Sequence, residues 1–172
     1  MNKFKPTMYY KDIFSINYNK LKDMGIKCLI FDLDNTLALI DERECPDKTK
    51  KLIKRLQDDF IIFIISNNTA RRIQPYKDVL GVEAVSLALK PLTRGLRKIK
   101  SDYKIKKKEM VMIGDQIVTD IISGNNFKIK TMLVDPLGEK DLKITNLNRK
   151  FEKFIVSIYC KRGIFERGKY YE

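Results

Sequence analysis

The sequence predicts a doubly wound parallel α/β sheet without a cap domain, and two features of the chain carry that prediction. Short β-rich runs alternate with helical stretches, and each β-rich run is almost continuously apolar. Such runs are typical of strands that helices cover on both faces. Because a sheet of this kind binds ligands beyond the carboxyl ends of its strands, a site is expected there. The predicted strands span residues 27–33, 60–66, 84–88, 110–115 and 130–135.

Helical signals fill the intervals between these strands. The stretch PDKTKKLIKRLQDD, residues 46–59, opens with a proline and an aspartate and carries an apolar stripe at Leu52, Ile53 and Leu56. The stretch LTRGLRKIKSDY, residues 92–103, carries a similar stripe at Leu92, Leu96, Ile99 and Tyr103. The resulting order, β-α-β-α-β-α-β-α-β, favours right-handed crossovers between parallel strands.

The chain length, 172 residues with 44% hydrophobic content, suits one domain with its own core. We expect a single domain over 1–172, built on a motif core at 27–135 and preceded by an N-terminal arm at 1–26. A basic amphipathic helix is predicted at 146–162. Docking of this helix on the sheet is favoured over a membrane interface, because burying large apolar side chains outweighs the lipid attraction of basic ones. Its basic rim and the aromatic segment at 4–14 would supply any membrane contact.

The cysteine content and the hydropathy of the chain indicate the cellular compartment of the protein. The three cysteines have no paired spacing, and the N-terminus lacks the apolar region of a secretion signal. No apolar run approaches the roughly 18 residues that a transmembrane helix needs. We therefore expect a reduced, cytoplasmic protein without a transmembrane segment, with peripheral contact at the inner face of the membrane as an open alternative.

The formal net charge of +13 is large for this length and is compatible with nucleic acid or an anionic phospholipid as partner. An AT-biased genome is a competing explanation of this charge, since lysine outnumbers arginine 26 to 9 in a chain rich in isoleucine and asparagine. The sequence contains no histidine. Any chemistry must therefore use carboxylates, lysine, hydroxyl groups or a metal.

Two aspartates end the first predicted strand, in the motif FDLDNTL at residues 31–37. Asp32 and Asp34 are two apart, so their side chains point the same way, and Thr36 follows. Two carboxylates at this spacing repel each other. The simplest way to offset the repulsion is to bind Mg²⁺, which prefers oxygen ligands. With Mg²⁺ bound, one carboxylate can attack phosphorus and the other can act as acid and base.

Polar residues also follow the other predicted strands at the same edge. Ser66 and Asn67 could hold a phosphoryl oxygen, and Lys90 could neutralise a phosphoryl transition state. Asp115 is available to a metal, and Asp120 could support it from outside the ligand shell. Each feature alone also fits an ordinary turn or a solvated lysine, but their shared placement favours one site.

Together these motifs resemble the haloacid dehalogenase (HAD) superfamily of Mg²⁺-dependent phosphohydrolases, which has a Rossmann-like fold. The resemblance implies that Asp32 is the nucleophile and Asp34 the general acid and base, with the Asp34 backbone carbonyl as a further metal ligand. It assigns Ser66 to the second motif, Lys90 to the third, and Asp115 with Asp120 to the fourth. Thr36 is typical of phosphatase members.

A narrower resemblance rests on FDLDNTL, SNN-x-x-RR, K-P and IGDQ-x-x-TD-x-x-x-GN. These motifs are similar to the YqeG-like branch of subfamily IIIA, which is related to mitochondrial phosphatidylglycerophosphate phosphatases. The resemblance implies phosphatidylglycerophosphate, or another phosphorylated substrate, as the ligand. Arg71 and Arg72 follow the second motif closely enough to bind substrate, although they could equally be surface residues.

The spacing between motifs bears on substrate size. Thr36 to Ser66 leaves room for one helix and one strand, and so does Ser66 to Lys90. Neither interval can hold a cap domain, so the site should be open and suited to phosphate on something large. A lipid head group, a nucleic-acid end and a phosphoprotein remain open, as does a non-enzymatic protein that retains the fold. No nucleic-acid motif or aromatic stacking platform supports the second alternative.

Overall fold

A computed structural model describes residues 3–138, 154, 157–158, 166 and 168–172. Six parallel strands form one sheet in the order β1-β6-β5-β2-β3-β4. The strands are β1 Met8–Tyr10, β2 Cys28–Phe31, β3 Ile61–Ile65, β4 Glu83–Val85, β5 Met110–Gly114 and β6 Lys130–Val134. The helices are α1 Tyr18–Asp23, α2 Asp47–Leu56, α3 Ala70–Leu80, α4 Arg94–Asp102 and α5 Ile122–Phe127. The doubly wound parallel sheet predicted from the sequence is confirmed.

The two faces of the sheet are covered by different helices. Alternate residues of β2, such as Leu29 and Phe31, pack in a cluster with the apolar sides of α1, α2 and α3. Cys28 and Ile30 point to the other face and pack with α4 and α5. Strand β2 lies at the centre, pairing with β5 from Cys28↔Met110 to Phe31↔Ile113 and with β3 on its other side. Burial on both faces explains why these strands read as continuous apolar runs.

The N-terminal segment, predicted as an arm at 1–26, contributes β1 and α1 to the fold. Met8, Tyr9 and Tyr10 are buried in the sheet and cannot supply membrane contact. Tyr171 pairs with Tyr9 in an antiparallel bridge and covers the outer edge of β1. A three-residue strand gives too short a pattern to be recognised from hydropathy.

The prediction for α4 is partly wrong. Leu96 and Ile99 are buried as expected, but the helix begins only at Arg94, and Leu92 and Tyr103 are exposed. The weak third strand ends at Val85, so the rest of its predicted span forms a loop. The helix predicted at 46–59 is confirmed as α2, with its apolar stripe buried.

The intervals 37–65 and 67–89 are fully described and contain only loops, α2, β3, α3 and β4. The chain thus has no cap domain in these intervals. No helix in the described part of the chain has the length and apolar character needed to cross a membrane. The amphipathic helix predicted at 146–162 lies outside the described residues apart from Phe154, Ser157 and Ile158.

Candidate active site

Three carboxylates converge at the carboxyl edge of the sheet. Asp32 directly follows β2 and Asp115 directly follows β5, and these two strands are neighbours. At this point the chain connections that follow the two strands lead toward opposite edges of the sheet. Doubly wound sheets bind ligands at such a point. Asp120 lies in a π-helical turn, Ile117–Ile121, between β5 and α5. One oxygen from each of Asp32, Asp115 and Asp120 lies within 4.8 Å of the others, so this acidic cluster could hold a metal ion.

Lys90 reaches into this cluster from the loop between β4 and α4. Its Nζ lies 2.5 Å from Asp32 Oδ1 and 2.7 Å from Asp120 Oδ1. The same ammonium group donates to the Ile65 carbonyl at 3.1 Å. Lys90 is only 7% exposed, so its charge acts on the carboxylates with little screening by water. The sequence-predicted residues Asp32, Lys90, Asp115 and Asp120 therefore form one group.

The charges of this group favour the binding of a second cation. Burial raises the pKa of Asp32 well above its usual range; Lys90 opposes that shift, and Asp120 and Asp115 add to it. Burial alone would lower the pKa of Lys90, but the attraction of Asp120 and Asp32 outweighs burial, so its pKa is raised. One ammonium group faces three buried carboxylates here, and their oxygen atoms are the ligands that hard divalent cations prefer. The donor set therefore fits a divalent metal ion.

Backbone geometry places Asp120 in the cluster. A Cβ atom added to Gly114 would collide with the Asp120 carboxylate, so glycine is needed at the end of β5. The Gln116 backbone N–H donates to Asp120 Oδ2 at 3.1 Å and fixes its other oxygen. Thr36 donates from Oγ1 to Asp115 Oδ1 at 3.4 Å, which links the first and fourth motifs.

The Asp34 side chain points toward the start of α3. Arg72 donates from Nε to Asp34 Oδ1 at 3.1 Å, and Asn68 Nδ2 donates to Oδ2 at 3.3 Å. The Arg72 guanidinium also donates to the backbone carbonyls of Leu39, at 3.0 Å, and Glu42. Arg72 thus holds Asp34 and the loop after the first motif together. Its predicted contact with substrate stays a prediction.

The second motif supports the Lys90 loop. The Asn67 side chain accepts from the Lys90 backbone N–H at 2.6 Å and donates to the Lys90 carbonyl at 3.0 Å. Ser66 is buried, and its Oγ accepts from the Asn68 backbone N–H at 3.0 Å. Arg71 is exposed in the first turn of α3. The substrate roles expected of Ser66, Asn67 and Arg71 stay predictions, while Asn67 also positions Lys90.

Sequence reasoning missed two contributors to this site. Asn68 was part of the SNN motif, but nothing in the motif says which asparagine reaches Asp34. Gln116 acts through its backbone N–H, which any residue except proline would supply. Contacts made by the backbone leave no signal in residue type.

Known proteins resemble this chain in sequence. Residues 1–138 match the family described as mitochondrial PGP phosphatase. The chain is 35% identical to the probable phosphatase YqeG of Bacillus subtilis over 164 residues, which cover 93% of this chain and 94% of that protein. It is 25% identical over 172 residues to the chloroplastic phosphatidylglycerophosphate phosphatase 1 of Chlamydomonas reinhardtii, covering 92% of this chain and 63% of that protein.

Solved structures with little sequence identity share the fold. A HAD-like family hydrolase from Porphyromonas gingivalis superposes with a TM-score of 0.56 at 13% identity, covering 73% of this chain and 98% of that one. The cobalt-bound deoxy-D-mannose-octulosonate 8-phosphate phosphatase of Haemophilus influenzae gives 0.51 at 16% identity, covering 87% and 97%. The fold, the converging motifs and the extent of the sequence match lead to one conclusion: this chain belongs to the PGP phosphatase family and is a YqeG-like phosphatase of the HAD type.

Proposed function

We propose that this phosphatase hydrolyses the terminal phosphomonoester of an anionic phospholipid, of the phosphatidylglycerophosphate class, through a phosphorylated Asp32. The observation that carries the chemical part is the buried contact of Lys90 with both Asp32 and Asp120, beside Asp115. A carboxylate held against an ammonium group, at the end of a strand, is positioned to attack a phosphoryl group whose charge that ammonium can offset.

The reaction has two displacements at phosphorus. First, an Asp32 carboxylate oxygen bonds to phosphorus while the bond to the leaving oxygen breaks, and Asp34 gives that oxygen a proton. Then Asp34 takes a proton from a water molecule whose oxygen bonds to phosphorus while the bond between phosphorus and the Asp32 oxygen breaks, which releases inorganic phosphate and restores the Asp32 carboxylate. Arg72 and Asn68 hold the Asp34 carboxylate for this work. Lys90 stabilises negative charge that develops on the phosphoryl oxygens.

We assign the cofactor as Mg²⁺, held by the Asp32 and Asp115 carboxylates with the Asp34 backbone carbonyl, and supported by Asp120. When bound, the ion would offset the charge of the cluster and of the phosphoryl group. The all-oxygen donor set supports this choice over softer metals, which prefer sulfur or nitrogen ligands.

Replacement of Asp115 by asparagine should weaken metal binding before it affects chemistry. We expect the Mg²⁺ concentration for half-maximal phosphate release to rise at least about tenfold, because a charged ligand becomes neutral. Excess Mg²⁺ should restore part of the rate. The matched control is Asp102→Asn, an exposed carboxylate at the end of α4. An unchanged Mg²⁺ dependence in a folded Asp115→Asn variant would remove Asp115 from the metal site.

Two observations support a lipid substrate. The relatives from Chlamydomonas reinhardtii and Arabidopsis thaliana bear the name phosphatidylglycerophosphate phosphatase. The described intervals between the motifs contain no cap domain, so a phosphate on a large or membrane-bound molecule can approach the carboxyl edge.

Presentation of the substrate in a bilayer should therefore raise the rate. We expect faster phosphate release from phosphatidylglycerophosphate in vesicles than from glycerol phosphate at equal phosphomonoester concentration. The difference should shrink as ionic strength rises, since salt screens the attraction of basic residues to anionic lipid. Equal turnover of both substrates, or preference for an oligonucleotide phosphate at the same salt concentration, would contradict the lipid assignment.

A further inference from the structure

Three leucines are exposed on the loop that carries Lys90. Leu87, Leu89 and Leu92 are 60%, 57% and 60% exposed. The residues between them, Ala88 and Lys90, are buried at 4% and 7%. We name residues 86–93 the leucine loop. Since Lys90 contacts Asp32, the leucine loop lies beside the active site.

Backbone contacts hold these leucines outward. The Leu87 N–H donates to the Asn68 carbonyl at 2.9 Å, and the Ala88 N–H donates to the Ser66 carbonyl at 3.1 Å. Leu87 and Leu89 have φ angles of 46° and 54°, a left-handed conformation that leucine rarely adopts. These backbone bonds hold the loop in the conformation in which Leu87 and Leu89 are exposed.

Exposed arginines lie near the leucine loop. Arg71 is exposed at the start of α3, and Arg94 and Arg97 are exposed in the first turns of α4. The chain has no acidic residue from Ser86 through Ser101. The planar guanidinium group of arginine bonds phosphate with two parallel donors, which suits lipid head groups. The surface thus combines apolar side chains with phosphate-binding cations.

We propose that the leucine loop inserts into the interface of an anionic phospholipid bilayer, with Arg71, Arg94 and Arg97 on the lipid phosphates. The functional role of this insertion rests on the proposed lipid substrate, because insertion would bring that substrate to Asp32. The binding itself requires no phosphomonoester. A bilayer fits better than a second protein chain, because the apolar patch is small, has a basic rim and adjoins a site for phosphate.

A second basic surface is an alternative site for anionic lipid. It lies at the opposite, amino edge of the sheet, around a cavity of about 860 Å³ lined by Lys3, Lys5, Lys107, Lys108, Lys128 and Lys130. A bilayer bound there would face away from Asp32. The two surfaces predict opposite orientations, and variants can separate them.

Vesicle sedimentation tests the proposal with the full chain. The vesicles contain phosphatidylcholine alone or with phosphatidylglycerol, and no phosphomonoester lipid. We expect binding to the anionic vesicles, and Leu87→Ser with Leu92→Ser should lower the partition coefficient at least about tenfold by removing inserted apolar area. The matched control, Ile61→Ser with Val79→Ser, removes two aliphatic side chains that are 45% and 57% exposed at the amino edge. It should bind like the unchanged protein, and circular dichroism should report the same fold for all variants.

Several outcomes would overturn the proposal: no binding to anionic vesicles, equal binding by the folded leucine variant, or loss of binding only in Lys107→Glu with Lys108→Glu. A dimer of the unchanged protein that the leucine variant converts to monomers would assign the surface to a second copy. A different result would contradict the proposed lipid phosphatase function while leaving the insertion of the loop intact. In that case vesicle binding would depend on the leucines, yet vesicles carrying phosphatidylglycerophosphate would release no phosphate.

Discussion

Replacement of Asp32 by asparagine should abolish phosphate release while the protein stays folded. The amide cannot form the acyl phosphate, so we expect the rate to fall by at least about a thousandfold. The side chain keeps its size, and Lys90 retains its contact with Asp120 at 2.7 Å. Loss of one charge also relieves repulsion among the three buried carboxylates. The measurement is phosphate release from a soluble phosphomonoester, with the melting temperature as a check on folding.

The matched control is Asp58→Asn, which alters an exposed carboxylate in the turn after α2. It should leave both the rate and the melting temperature unchanged. A folded Asp32→Asn variant that releases phosphate at nearly the original rate would contradict nucleophilic attack by Asp32. Activity lost together with the fold would be explained by unfolding, so the melting temperature decides which explanation applies.

Replacement of Lys90 by methionine should reduce both stability and activity. The methionine side chain fills similar space but leaves Asp32 and Asp120 without their buried cation. We expect the free energy of unfolding to fall by about 3 kcal/mol without metal, the lower end of the range for breaking a buried ion pair. Mg²⁺ should reduce this deficit, because it offsets the same carboxylates. The rate should fall at least about a hundredfold even with Mg²⁺.

Denaturant unfolding with and without Mg²⁺ measures the stability part of this prediction. The control is Lys98→Met, since Lys98 pairs with Asp102 at 2.7 Å on the exposed face of α4. That change should have little effect on stability, because water screens surface pairs. If Lys90→Met unfolds like the unchanged protein and hydrolyses phosphate normally, Lys90 has neither role.

Most of the fold could be predicted from the sequence, because the signals were local and repeated. The central strands are buried on both faces, so they read as apolar runs, and α2 shows its buried stripe directly. Strand β1 was missed because three residues carry too little pattern, and its place in the sheet depends on pairing with β6, more than a hundred residues later. Such pairing has no local signal.

The composition of the site was easier to predict than its geometry. Parallel strands end at one edge, so Asp32, Asp115 and Lys90 could be expected together, and they are. The partners of each side chain could not be predicted. Arg72 contacts Asp34 because α3 begins beside the first motif, and Asn67 supports the Lys90 backbone across the loop. These contacts depend on three-dimensional packing, while the motif fixes only residue type.

The exposed leucines show a further limit of sequence patterns. Leu92 fits the apolar stripe of α4, and Leu87 fits a buried strand, so hydropathy predicted that both were in the core. The structure ends β4 at Val85 and begins α4 at Arg94, which leaves both residues in the loop between. An apolar residue that fits the pattern of a helix or strand but lies outside it can be recognised as exposed only once the ends of that helix or strand are known.

Membership in the family also reduces the number of alternative functions that the sequence left open. The alternative of a non-enzymatic protein with this fold is ruled out, since the chain belongs to a phosphatase family and every motif carboxylate is present. Nucleic-acid phosphate is the competing substrate class, because the exposed Arg71, Arg94 and Arg97 at the carboxyl edge could bind it as well. The lysine-lined cavity that could attract a polyanion lies at the opposite edge of the sheet.

Chemical trapping of the phosphorylated enzyme tests whether Asp32 is the nucleophile. The protein is mixed with Mg²⁺ and a phosphomonoester, quenched in acid and treated with borohydride, which reduces an acyl phosphate to the alcohol. Peptide mass spectrometry should then find homoserine in place of Asp32, only in the sample that received substrate, while Asp34 and Asp115 remain aspartate. Trapping at a different carboxylate, or turnover with no reduced residue at Asp32 under conditions that trap a known phosphoaspartate enzyme, would contradict an aspartyl-phosphate at Asp32.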